Sequence, residues 1–139
     1  MIEHLPDADP TKSYVRRMLR KCITRDLDTG EIVFLPQVAF KFDPDLSIHQ
    51  KEMIIDAGAT LEDAYEMPPN GAVSIPVLEL MDTGAHLKHT PVRELGPVLG
   101  ASHHSIFGRT LTPHKSEKAA LRDMLEKSVR WIGQIPEPA

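Results

Sequence analysis

A single cysteine, Cys22, is all the sequence holds, so no disulfide can form within the chain and a cross-linked secreted scaffold is disfavoured. Aromatic residues are also scarce, four Phe, two Tyr and one Trp, so a core has to be built mainly from aliphatic side chains. No apolar run approaches the ~20 residues that a membrane-crossing helix needs. Residues Met1 to Pro10 offer neither a basic start nor an apolar stretch, so no signal peptide is expected. A glycine-rich phosphate loop and a Gly-x-Ser-x-Gly turn are both missing, which removes two common enzyme signatures. The expected setting is the cytoplasm, or a particle assembled there, with no membrane involved.

The most informative absence is that of negative charge near the start. Between Thr11 and Arg25 there is no Asp or Glu, while Lys12, Arg16, Arg17, Arg20, Lys21 and Arg25 supply six positive charges. The other 124 residues hold ten basic and twenty acidic groups, a net of −10, so the surface is electrically divided. Such a division attracts an acidic partner, protein or nucleic acid. Apolar residues at Tyr14, Val15, Met18, Leu19, Cys22 and Ile23 recur in pairs every four residues, which predicts an amphipathic helix with its arginines outward. Asp9-Pro10 supplies its start signal.

At 139 residues the chain suits one domain, 1–139, divided into an N-terminal arm 1–9, a core 10–133 and a tail 134–139. Hydrophobic residues at 41% and charged ones at 26% fit a folded domain rather than a disordered one. Twelve prolines mark element boundaries and recur in the tail, and such ends stay loose unless something ties them down, here expected to be neighbouring chains. Asp28-Thr29-Gly30 reads as a turn, Glu31 to Phe42 as interrupted strand, and Asp43-Pro44-Asp45 as another turn. Ser47 and Gln50 form a capping box for a helix through Ala57. Ala72 to Met81 reads as strand, with Val73, Ile75 and Val77 on one face. Thr90-Pro91 opens a short helix that Gly96-Pro97 breaks, and Ser105 to Leu111 suits a strand. Thr112-Pro113 starts the best helix, with Leu121, Met124, Leu125, Val129 and Ile132 inward and Gly133 at its end. The expected class is α+β: a small, mostly antiparallel sheet of three to five strands against two to four helices, with Pro-bearing extended termini.

Five of the seven histidines fall between residues 86 and 114: His86, His89, His103, His104 and His114. Neutral imidazole is a common metal ligand, so this set is a candidate divalent-metal site. Ser102-His103-His104, with His114 further on, resembles the His-His motif of HNH-type nucleases, which implies a metal-dependent hydrolase. Val92 to Leu111 resembles a helix-turn-helix, with a small residue at Gly96, a turn glycine at Gly100 four residues on and Ile106 in the second helix. That implies a DNA-binding regulator reading a groove through His103, His104 and Arg109. Pro97 and Arg109 depart from that pattern. Asp82-Thr83-Gly84-Ala85, after an apolar strand, resembles the catalytic turn of retroviral-type aspartic proteases. Only 57 residues follow Asp82, and the glycine-containing strand expected downstream is absent.

No set of residues completes a catalytic machine without a metal. The leading expectation is therefore a non-enzymatic structural or adaptor subunit without cofactor. It would join other protein subunits, as a homo-oligomer or hetero-assembly of virion or secretion type. The docking residues are Lys12, Arg16, Arg17, Arg20, Lys21 and Arg25, aided by the extended arms. The alternatives are the metal-dependent hydrolase or nuclease and the DNA-binding regulator.

Overall fold

The computed structural model describes residues 4–42, 45–110 and 113–139. Its centre is a six-stranded antiparallel sheet. The strands are β1 (Tyr14–Met18), β4 (Asp45–Gln50), β5 (Gly71–Ser74), β6 (His86–His89), β7 (His103–Phe107) and β8 (Arg130–Ile132), in the order β6-β7-β4-β1-β5-β8. A separate ribbon pairs β2 (Ile23–Arg25) with β3 (Ile32–Phe34). Six helical segments join them: α1 (Pro36–Ala39), α2 (Lys51–Asp56), α3 (Leu61–Tyr65), α4 (Val77–Asp82), α5 (Gly96–Leu99) and α6 (Lys115–Ser128). The expected α+β class holds, with a wider sheet and more helical pieces than anticipated.

The two faces of the sheet bury different cores. Tyr14 and Met18 of β1, Leu46 and Ile48 of β4, and Ile106 of β7 point into the larger one, which α1, α4 and α6 cover through Ala39, Leu80, Leu121 and Leu125. Val15 and Ala72 face the other way and meet Ile54 of α2 and Leu61 and Tyr65 of α3, with Val98 and Leu99 of α5 against them. The ribbon is anchored by Phe34, whose ring stacks on Trp131 of β8 at 5.2 Å and leans on Phe40 at 5.2 Å.

The basic segment is not a helix. It is strand β1, a 3-10 turn over Arg20–Cys22, and strand β2. The four-residue recurrence of apolar pairs misleads because β1 lies inside the sheet and is buried on both faces, so its pattern does not alternate as a half-buried strand would. Arg16 and Arg17 consequently point to opposite faces.

Three other local readings yield to tertiary pairing. Ser47 and Gln50 lie in β4 rather than in a capping box, because Leu46 and Ile48 bury completely and pair with Ile106 and His104 of β7. The predicted strand from Ala72 stops at Ser74. Pro76 removes a ladder donor, and Val77 and Leu80, three apart, turn one buried side inward as α4. The helix-turn-helix is overturned outright. Its second helix would lie where β7 runs, with His103 and His104 buried in the sheet rather than facing a groove. Gly96-Pro97 begins α5 instead of breaking a helix, Pro97 occupying the first turn where its missing N–H costs nothing. The long C-terminal helix is present but ends at Ser128 rather than Gly133: Leu121 and Leu125 are buried within it, Val129 is its buried C-cap, and Ile132 belongs to β8. The Asp43-Pro44 turn, and residues 111 and 112 at the end of one reading and the start of another, lie outside the described residues.

The described parts of both ends lie on the chain's own fold. The backbones of Pro6, Asp7 and Ala8 run along the open edge of β6, with Ala8 N–H donating to Leu87 O and His89 N–H to Pro6 O. There the Asp7 carboxylate accepts from the buried Lys88 ammonium, which holds the carboxyl below its usual pKa. The tail packs beside the 3-10 turn through Arg20 and Arg25.

Pairing between β1 and β4 covers only Tyr14↔Gln50 and Val15↔His49. Beyond it, the Arg16 guanidinium bridges the two segments: its Nε donates to Ala39 O at 2.8 Å, the end of α1, and its Nη1 to Ser47 O at 2.7 Å. Burial opposes this charge and lowers its pKa, with Cys22, Tyr65 and Asp45 acting the other way. Replacing Arg16 with Ala strands two acceptors and should cost about 2–3 kcal/mol. Arg17→Ala, one residue on, should stay within about 0.5 kcal/mol. Urea unfolding of the two variants checks this, and equal losses would contradict it.

Candidate anion-binding cleft

Where β1 and β4 part company, the sheet face opposite the larger core carries polar residues. Val15↔His49↔His103 stand opposite one another across three strands, and Ser47↔Ser105 extends the same face. By alternation Arg17 shares the Val15 side of β1. Together with the 3-10 turn, α1 and the segment around Leu95, these residues line a cleft of about 520 Å³. Its cations are Arg16, Arg17, Lys21 and Lys41. Its imidazoles are His49 and His103, and Leu19, Val38 and Leu95 supply apolar flanks. Of the described residues lining it, none is acidic.

His49 is the centre of this surface. Its Nδ1 lies 2.6 Å from the Tyr65 hydroxyl, which is also 3.3 Å from Val15 O. Burial raises the Tyr65 phenol pKa well above its normal range, so the phenol keeps its proton. His49 Nε2 is buried and has no hydrogen-bond partner among the described residues. Burial, then His103, Arg17, Arg16 and His104, push the imidazole pKa down to about 3. At neutral pH the His49 imidazole is therefore uncharged among cations.

His103 stands beside it, ring centres 5.7 Å apart and nearly perpendicular. Its Nδ1 donates to Thr90 O at 2.7 Å, and Thr90 Oγ1 reaches Ser105 Oγ at 2.6 Å. That bond fixes the tautomer and ring orientation.

The six expected docking residues are divided by the fold. Arg16, Arg17 and Lys21 line the cleft. Arg16 is tied to backbone carbonyls, whereas the Arg17 and Lys21 side chains form no hydrogen bond or ion pair among the described residues. Arg20 is held by the tail, donating to Glu137 O at 2.8 Å and Pro138 O at 3.0 Å. Arg25 pairs with the Glu137 carboxylate at 2.7 Å, an exposed contact. Lys12 sits exposed in the turn before β1.

The histidines also scatter. His104 points to the larger-core side, donating Nδ1–H to Ser102 O at 2.9 Å and stacking on His89 at 4.6 Å. Burial lowers its pKa. His89 donates Nε2–H to Ala101 O at 2.8 Å. His86 begins β6 on the surface, and His114 is exposed at the start of α6. Among the described residues no group of three or more His, Cys, Asp or Glu side chains is placed to hold a metal ion. The candidate metal set His86, His89, His103, His104 and His114 is thus not assembled. Lys41, His49 and Tyr65 were missed by sequence reading. The available signal was the alternation Leu46-x-Ile48-x-Gln50, which places His49 on the face opposite the core.

Comparison with known proteins finds no matching family model, no matching curated protein and no matching solved structure. Among the described residues no helix is long and apolar enough to cross a membrane.

The depressed His49 pKa has a consequence for stability. The unfolded chain takes up a proton near pH 6.5 that the folded chain refuses until about pH 3. Stability from this group is complete above pH 6.5 and falls as the pH drops towards 3, by at most about 1.4 kcal/mol per pH unit. Denaturant unfolding at pH 7, 6, 5 and 4 should show a shallower acid loss for His49→Gln than for the parent. Parallel curves would contradict the assignment.

Proposed function

We propose that the protein is a docking subunit, and that the cleft between β1, β4 and α1 is where it takes an anionic group of a protein partner. The observation that carries this is the combination of Arg17, Lys21 and Lys41 in one cavity with no carboxylate among its described lining residues. Cations of one sign held together repel each other, and an arrangement without internal counter-charge favours an incoming anion. Arg20 and Arg25, by contrast, already have partners in the tail, so they are not the docking surface.

A protein partner is favoured over nucleic acid by what surrounds the charges. Val38 and Leu95, 44% and 50% exposed, stand in the cleft wall, and Val33 and Leu35 are exposed on the segment leading into α1. Apolar side chains around a charged centre match a protein interface. Aromatic faces for stacking bases are lacking from the lining apart from the two imidazoles. A larger assembly and the oligomeric state belong to this proposal as its setting.

The test uses a fluorescein-labelled decaglutamate peptide as an acidic probe. Anisotropy should show saturable binding that weakens with salt. The double change Lys21→Glu with Lys41→Glu should weaken it at least tenfold, about 1.4 kcal/mol. Arg20→Glu with Arg25→Glu should leave it within about twofold. Binding that follows the second pair instead of the first, or an equally charged RNA oligomer binding more tightly than the peptide, would refute the reading.

A further inference from the structure

We infer that the group the cleft is built to take is a phosphate monoester, a phosphorylated serine or threonine of the partner, held by Arg17, Lys21, Lys41 and the Nε2–H of His49. This rests on the docking proposal above and makes it specific. The donors arrive from four separate segments: β1, the 3-10 turn, the residue after Phe40, and β4. A carboxylate's two oxygens could accept from four donors, but its single charge does not balance three cations. A phosphate monoester offers three terminal oxygens and about −1.5 to −2 charges at neutral pH, and arginine clusters recognise it through charge-assisted hydrogen bonds.

His49 makes the distinction sharper. Its Nε2 is the buried side-chain nitrogen or oxygen that lacks a partner among the described residues, and His49 is one of the residues lining the cleft; with the Tyr65 hydroxyl donating to Nδ1 along the 2.6 Å contact, that nitrogen carries the proton. An orphaned buried donor is costly unless a ligand or water meets it. Tyr65 and His103 hold the ring from behind and beside, so the donor is presented in one orientation. His103 on β7, Arg16 and Arg17 on β1, His104 across the sheet and Tyr65 on α3 are the charged and titratable groups around it. None of them is a carboxylate that would occupy the donor in place of the ligand.

The experiment follows the imidazole ¹H–¹⁵N signals of the full chain at pH 7 during titration with O-phosphoserine, inorganic phosphate and, at matched ionic strength, glutamate. Phosphoserine and phosphate should shift His49 saturably while glutamate does not. Arg17→Gln and His49→Gln should each weaken phosphoserine binding at least tenfold, with thermal unfolding showing that the Arg17 variant keeps its fold. If decaglutamate binds at the cleft but phosphoserine neither shifts His49 nor competes, the phosphate inference fails and the docking proposal stands. If neither binds, both fail. Adenosine 5′-monophosphate binding more than tenfold tighter than phosphoserine would also overturn it, placing the phosphate on a nucleotide instead.

Discussion

The Arg16 guanidinium between β1 and β4 is the contact on which the arrangement depends. Two adjacent strands of a sheet normally satisfy one another's backbone along their length. Here the pairing covers only two residue pairs, and the carbonyls of Ser47 and Ala39 are met by a side chain instead. A planar, permanently charged fork with several donors suits that task better than a lysine would. Because Arg16 closes the gap from one side of the sheet, Arg17 emerges on the other side without such partners. One residue of the pair builds the fold, and its neighbour's guanidinium has no hydrogen-bond partner among the described residues.

That division explains the electrostatics of the cleft. The Arg16 charge is neutralised in part by carbonyl dipoles, and the charges on Arg17, Lys21 and Lys41 have no such partners among the described residues. Burial first, and the neighbouring positive groups after it, keep the His49 imidazole neutral. In the proposed role, charge would supply the attraction and the neutral imidazole the direction. The tail meanwhile removes Arg20 and Arg25 from competition, so a run of six basic residues becomes one localised site instead of a charged stripe.

Much of the fold class was legible in the sequence, and the element types were legible where local and tertiary preferences agree. The last helix is one case: Leu121 and Leu125 recur at helical spacing and do face the core. The Asp28-Thr29-Gly30 turn is another. Asp26 accepts backbone N–H groups from Asp28 and Thr29, and Gly30 takes a φ of 74°. The failures share one cause. β1 is buried on both faces and β4 pairs at long range with β7, so neither shows its partners in its own residues. The basic site was half legible, since charge betrayed Arg17 and Lys21. Sequence proximity carried no sign that His49 and Lys41 would join them, and the histidine cluster at 86–114 dispersed because His103 and His104, being neighbours on a strand, face opposite ways.

Hydrogen exchange of arginine side chains tests the central division most directly. The Nε–H signals of Arg16 and Arg17 can be followed separately in the ¹⁵N-labelled chain. The account predicts that the Arg16 Nε–H, buried and bonded to Ala39 O, exchanges at least tenfold more slowly than that of Arg17. Equal exchange at the two sites would contradict it, since Arg16 would then be as free as its neighbour and the cleft would lose its fixed floor.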